Sequence, residues 1–112
     1  MGEELSCKPL KISDQFYENN AQVYDYGYYA FGYFQAVKYK RLIQVYLDTL
    51  PDRYTAYPEC RHLQTKSRMY RNIILDSHLI IYRITDERIE VLDIVHSASS
   101  IRRIREVRRI RL

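Results

Sequence analysis

The densest group of chemically active side chains lies at the carboxyl end of the chain. From Ser99 to Leu112 there are six arginines and one acid, Glu106, so this stretch carries a net charge of +5. The whole chain of 112 residues carries +4, which leaves −1 for all the rest. So many guanidinium groups predict either contact with an anionic partner or a solvated basic tail. Charge alone leaves both interpretations open.

Apolar residues are regularly spaced among these arginines. They recur at every third position from Ile101 to Ile110, and Ser99 and Ser100 precede them. This spacing predicts an amphipathic helix with a serine as N-cap. We expect its apolar side to dock on the chain's own domain or on a partner, with the arginines directed at an anionic target.

Metal and disulfide chemistry is not expected. The only two cysteines, Cys7 and Cys60, are interpreted as reduced and structural, because a chain of this size does not need a disulfide. Cys60 and His62 are too few ligands for a zinc site, so no metal and no cofactor are predicted. The uninterrupted apolar runs, such as residues 73–75, are far too short to cross a bilayer. A cytoplasmic protein without a membrane partner is therefore expected.

The elements that must position these groups begin with two predicted helices. Ser13 is a plausible N-cap, and the two helices are expected to join near Gly27 and Gly32, because glycine weakens a helix. The first apolar stripe comprises Phe16, Val23, Tyr26 and Ala30, interrupted by Asn20. The second comprises Ala36, Tyr39, Ile43, Tyr46, Leu47 and Leu50, widened by Leu42 and Val45, and Pro51 is expected to end the helix.

Three runs rich in β-branched and aromatic residues follow a loop that contains Pro58. They span residues 70–75, 79–84 and 88–95, and turns of two or three polar residues join them. Such short turns allow only antiparallel hairpins. A further strand is expected from about Leu5 to Ile12.

These elements predict an α+β fold in a single domain spanning residues 1–112. Its order is an N-terminal strand, a helical hairpin, a three-stranded antiparallel meander and a basic C-terminal helix within the tail 99–112. Both helices of the hairpin are expected to pack on one face of the sheet.

Tyrosine is concentrated in the predicted hairpin. Seven of the twelve tyrosines lie between Tyr17 and Tyr39. One interpretation is packing at the core and its rim, because tyrosine buries its ring and leaves its hydroxyl in water. The other is a stacking platform for nucleic-acid bases.

The meander carries a resemblance to a known family. The segments Tyr70–Leu75, Leu79–Ile84 and Arg88–His96 resemble the C-terminal half of RelE/ParE toxins. The family pattern is an arginine-bearing strand, a strand ending in Tyr-Arg, a short acidic turn and an apolar strand ending near histidine. The order of elements is similar over nearly the whole chain.

The resemblance implies a toxin of a type II toxin–antitoxin system that is bound by a cognate antitoxin. RelE-like members cleave mRNA on the ribosome without a metal, and ParE-like members inhibit DNA gyrase. By match to the family, Arg71 and Arg83 would clamp a phosphate and His96 would act as an acid or base. Arg61, Lys66 and Arg68 lie in the loop where RelE-like enzymes carry RNA-binding basic residues.

The expected function is ribosome-associated mRNA cleavage, with two alternatives. One is gyrase inhibition without catalysis, and the other is a non-toxic binding module on the same scaffold. The last strand is apolar on both faces, so an antitoxin segment or a second copy of the chain is expected to cover the face that the helices leave open.

Each proposed catalytic residue also has a structural interpretation. Arg83 and Glu90 would face each other across the acidic turn and form a cross-strand ion pair. Arg71 would be an exposed strand residue, and His96 a residue that ends a strand at the surface. With two-residue turns throughout, Arg83, Glu90 and His96 would share one face of the sheet and Arg71 would lie on the other.

Overall fold

The computed structural model describes residues 7–112, which form one four-stranded sheet with helices on both faces. The strand order is β1-β4-β3-β2. The elements are β1 (Leu10–Ile12), α1 (Asp14–Phe31), α2 (Tyr33–Arg53), β2 (Tyr70–Ile74), β3 (His78–Ile84), β4 (Ile89–His96), α3 (Ile101–Glu106) and a 3-10 turn (Val107–Arg109).

The three predicted strands of the meander are confirmed as antiparallel neighbours. The predicted N-terminal strand is shorter than expected, because only Leu10–Ile12 pair with β4, in parallel register. Pro9 precedes β1, and its carbonyl accepts a hydrogen bond from the amide of Ile89. Leu5 and Ser6 lie outside the described residues.

The helical hairpin begins and turns as the sequence predicts. Ser13 caps α1 by accepting a hydrogen bond from the Phe16 amide at 2.9 Å. Gly32 forms the joint with a φ of 90°, a conformation that an L side chain rarely adopts. The predicted end at Pro51 is wrong by two residues, since α2 continues to Arg53. A proline in the last turn removes one hydrogen bond without stopping the helix.

Each face of the sheet covers its own apolar cluster. The cluster under the hairpin comprises Phe16, Ile43, Leu47, Leu50, Ile73, Leu75, Ile80, Tyr82, Ile89, Val91 and Ile94. The cluster on the opposite face comprises Cys60, Leu63, Ile81, Leu92, Val95, Ile104 and Val107. The tail therefore docks on its own domain, which is one of the two predicted arrangements; the other was docking on a partner.

The prediction that a partner covers the second face of β4 is wrong. The chain covers this face itself, because Ile104 and Val107 of the tail and Leu63 of the loop pack on Leu92 and its neighbours. The stripes of the helices also need correction. Leu42 and Val45 are exposed, and the stripe of α1 is buried only at Phe16, while Tyr26 and Ala30 face solvent.

A β-bulge in β4 changes which side chains share a face. Ile81 pairs with Asp93 while the next residue, Tyr82, pairs with Val91, so Leu92 is the extra residue. Side-chain alternation is shifted by one position after this point. Residues that follow Leu92 therefore lie on the face opposite to the one that a regular strand predicts.

Candidate functional site

Arg83 lies on the face of the sheet that the tail covers, which we call the tail face, and it forms a buried ion pair there. It pairs with Glu90 across the β3–β4 hairpin, as expected, and its Nε donates to Glu90 Oε1 at 2.8 Å. Its Nη2 lies 2.7 Å from the same oxygen, and Arg88 donates to the other carboxylate oxygen at 2.9 Å. Both oxygens of the carboxylate are therefore occupied.

The same guanidinium group also holds the tail. Arg83 donates from Nη1 to the carbonyl of Arg108 and from Nη2 to the carbonyl of Ile110. Burial of the Glu90 carboxyl disfavours its charge, but hydrogen bonds from Arg83 and Arg88 outweigh burial and lower its pKa below the ordinary value. The pair is therefore ionised at neutral pH and joins the hairpin to the end of the chain.

Arg71 lies on the face of the sheet that the helical hairpin covers, which we call the helix face. It donates hydrogen bonds to the loop between α2 and β2. Its Nε donates to the Arg68 carbonyl at 2.8 Å, and its Nη1 donates to the Tyr57 carbonyl at 2.9 Å. A third, longer contact joins Nη1 to the carbonyl of Thr55 at 3.3 Å. These bonds direct the guanidinium group at the protein backbone.

His96 lies at the far end of the sheet beside a second histidine. It pairs with His78, and the centroids of the two rings are 5.4 Å apart. The Nδ1 of His78 is hydrogen bonded to the Tyr39 hydroxyl at 2.8 Å. The Nδ1 of His96 accepts from the Ala98 amide at 3.0 Å, so in the neutral ring the proton is on Nε2.

An open cleft lies beside the two histidines. Its volume is about 490 Å³, and Asn19, Gln22 and Arg103 contribute to its lining. Arg103 is not free, because its Nη2 lies 2.8 Å from Asp93 Oδ2, and Asn19 donates to Oδ1 of the same carboxylate at 2.7 Å. Burial, followed by the nearby charge of His96, lowers the pKa of His78.

The structure does not bring Arg71, Arg83 and His96 together. Arg71 and Arg83 lie on opposite faces, as predicted, but the prediction that His96 shares a face with Arg83 is wrong. The bulge at Leu92 turns His96 to the helix face, where it meets His78. Arg71 pairs with Tyr82, four residues along β3 from His78, and it lies on the strand at the other side of β3 from His96. The two positions are therefore roughly 13 Å apart along the strands and roughly 10 Å apart across the sheet.

The loop cations are separated from one another as well. Arg61 lines a polar cleft of about 410 Å³ together with His62, Gln64, Arg105 and Arg108. Within residues 7–112, none of the three arginines in this cleft forms an ion pair. We call this group the cationic cleft.

The other two predicted loop residues lie outside the cationic cleft. Lys66 is exposed. Arg68 has a positive φ of 57° and is 3.6 Å from Glu59. Of the three predicted RNA-binding residues, only Arg61 therefore joins a cluster of cations.

Comparison with protein families identifies the fold. The protein-family model for the ParE toxin of the type II toxin–antitoxin system parDE matches residues 10–101. The chain belongs to the ParE toxin family. A solved structure from P. aeruginosa, described as a chromosomal ParDE toxin–antitoxin system, has the same fold. It is 17% identical, with a TM-score of 0.66, and the alignment covers 81% of this chain and 97% of the other. Comparison with curated proteins gives no match.

The candidate site contains side chains that the sequence pattern did not indicate. His78 and Tyr39 complete the group around His96, and Asp93 ties α1 and α3 to the bulge. Pairing the predicted β3–β4 hairpin residue by residue would have placed a histidine near His96, but a bulge leaves no reliable sequence signal.

Among the described residues of this ParE-family chain, no helix is long and apolar enough to cross a membrane.

Proposed function

We propose that this ParE-family toxin acts by binding DNA gyrase and inhibiting it, without catalysis, and that a cognate antitoxin neutralises it. The observation that carries the proposal is the separation of Arg71, Arg83 and His96, with both guanidinium groups bound to the protein itself. The proposed target places the action of the toxin in the cytoplasm.

RNA cleavage makes a geometric demand that this arrangement does not favour. Attack of a 2′-hydroxyl needs a proton acceptor, cations over the phosphate and an acid for the leaving oxygen within one site. To reach a phosphate, Arg83 would have to leave the buried carboxylate of Glu90, which would then be uncompensated. His96 has an exposed ring, but its neighbours are His78 and Tyr39 rather than the two arginines.

The cationic cleft supports a role in binding. Arg105 and Arg108 come from the tail and Arg61 from the loop, so docking of the tail assembles the cleft. A cluster of unpaired guanidinium groups attracts an anionic surface and speeds association at low salt. Gyrase bound to its DNA substrate offers such a surface.

The direct test is a gyrase supercoiling assay with the purified toxin on relaxed plasmid. The expected result is inhibition that one equivalent of antitoxin reverses, together with intact mRNA in a translating extract. The double variant R105E/R108E should inhibit about tenfold less well, while R41E, an exposed substitution on α2, should match the wild type. Full supercoiling in the presence of excess folded toxin would contradict the proposal.

The same pair of assays separates the alternatives. Cleavage of mRNA in the translating extract would support the predicted ribosome-dependent RNase, with Arg71, Arg83, His96, Arg61, Lys66 and Arg68 as its candidate residues. The absence of both effects would support a binding module on the toxin scaffold.

A further inference from the structure

The end of the helical hairpin presents aromatic rings to solvent. Six side chains around the Gly32 joint, which we call the aromatic tip, are each more than half exposed. They are Tyr26, Tyr28, Tyr29, Phe31, Tyr33 and Phe34. Tyr29 is 92% exposed and Phe34 is 86% exposed, so these two rings contribute almost nothing to the core.

Most ring contacts of the aromatic tip are made within the tip, although Tyr28 also meets Tyr24 and Tyr26 lines the cleft beside His78 and His96. Tyr28 and Tyr33 meet edge to face with centroids 6.3 Å apart, and Tyr33 meets Phe34 at 5.6 Å. None of the six residues belongs to either apolar cluster of the described residues. Stability of the monomer therefore does not explain why so many large rings occur here.

The composition of the tip is typical of a protein interface. From Tyr24 to Val37 there is one charged side chain, Asp25, in a chain that is 29% charged. Interface centres are enriched in aromatic residues and depleted of charge, and soluble monomers rarely expose apolar patches of several hundred Å². The tip is therefore suited to a contact that excludes water.

The size of the tip agrees with what a stable dimer requires. With a full aromatic side chain offering about 200 Å², the observed exposures leave roughly 800 Å² on each copy. A standard interface buries about 800 Å² per partner.

The charges of the chain also permit two copies to meet at this point. The tip is almost uncharged, while the arginine-rich tail packs on the sheet face opposite the helices. Contact through the tips would therefore keep the cationic tails of the two copies apart.

We propose that the aromatic tip joins two copies of this chain in a two-fold dimer. The same patch of each copy faces its counterpart, as a two-fold axis requires. Tyr29 and Phe34, the most exposed rings, lie at the centre of the contact. The cationic cleft contains no residue of the tip and stays open in the dimer, whereas Tyr26 also lines the cleft beside His78 and His96.

The test is the mass of the purified chain in solution, measured by light scattering and sedimentation over a range of concentrations. The wild type should have twice the mass of one chain at micromolar concentration. The double variant Y29S/F34S should raise the dimer dissociation constant by more than about 30-fold, the loss typical of interface hot spots. The control Y17S removes a tyrosine that is 57% exposed at the other end of α1, and it should leave the dimer intact.

A second variant separates loss of contact from loss of fold. Y29K places a charge on a position that is 92% exposed, and it should give a monomer that melts at the temperature of the wild type diluted below its dimer dissociation constant. A wild-type chain that stays monomeric at about 100 µM would overturn the proposal. A dimer that Y29S/F34S and Y29K leave unchanged would also overturn it. A monomeric wild type whose tip variants lose gyrase binding would overturn it too, and it would make the tip a contact for the target.

Discussion

The tail and the tip of the hairpin are both regularly patterned segments, and only one of them is buried. Ile104 and Val107 of the tail are almost fully buried on the sheet, whereas Tyr26 and Ala30 at the same kind of helical spacing face solvent. Periodicity therefore tells which side of a helix is apolar, but not whether a surface exists to cover it. In this chain, the length of the helices relative to the strands decides which apolar side is covered.

The helices are longer than the sheet on which they lie. The 21 residues of α2 extend about 31 Å, while the seven residues of β3 extend about 23 Å. The ends of α1 and α2 that meet at Gly32 therefore project past the strands. The short tail, in contrast, fits within the sheet and is held there by Arg83.

The largest effect should come from breaking the ion pair that holds the tail. E90Q removes the carboxylate charge opposite Arg83 in a buried site, and it should lower the free energy of unfolding by about 3–5 kcal/mol. Urea denaturation measures this loss. E106Q, which alters an exposed pair with Arg102, should cost less than about 1 kcal/mol. Equal effects of the two substitutions would show that the Arg83–Glu90 pair does not hold the tail.

The next effect tests the apolar half of the tail contact. I104A should lower the free energy of unfolding by about 2–4 kcal/mol, because the cavity opens between the tail and Leu92. I101A changes a residue that is 47% exposed and should cost less than about 1 kcal/mol. A loss of less than about 1 kcal/mol for I104A would mean that the tail is only loosely docked.

The hairpin tip should behave in the opposite way. Y29S and F34S should each change the free energy of unfolding of the monomer by no more than about 0.5 kcal/mol, since neither ring is packed in a core. The measurement is denaturation below the dimer dissociation constant. A loss above about 2 kcal/mol in the monomer would show that the tip stabilises the fold and remove the contrast with the tail.

The smallest effect concerns the pH dependence at His78. Because folding lowers the pKa of His78, the unfolded chain binds more protons at and below the ordinary value of 6.5. The free energy of unfolding should therefore decrease as the pH falls through this range. H78N should flatten the decrease in denaturation series between pH 7.5 and about 5.5. An unchanged pH slope in H78N would locate the effect elsewhere.

The order of elements could be predicted from the sequence because each element has a local signal. Ser13 marks the start of α1, Gly32 supplies the joint, and alternating β-branched residues define the strands. The Arg83–Glu90 pair was also predictable, because it depends only on the short turn between β3 and β4.

The arrangement of the site could not be predicted, because it depends on one residue of register. The bulge at Leu92 moves His96 to the face of His78, and its partners, the buried Asp93 with Asn19 and Arg103, are distant in sequence. The cover for the second face of β4 was similarly hidden. It comes from the chain's own Ile104 and Val107, whose spacing fits docking on the domain and docking on a partner equally well.

The most direct test of a toxin that binds rather than cleaves is growth arrest by the variant H96A, expressed without antitoxin. His96 is exposed, so the variant should fold as the wild type does. We expect it to arrest growth as strongly as the wild type and to be rescued by the antitoxin. Loss of toxicity in a folded, antitoxin-binding H96A protein would contradict this account and support catalysis at His96.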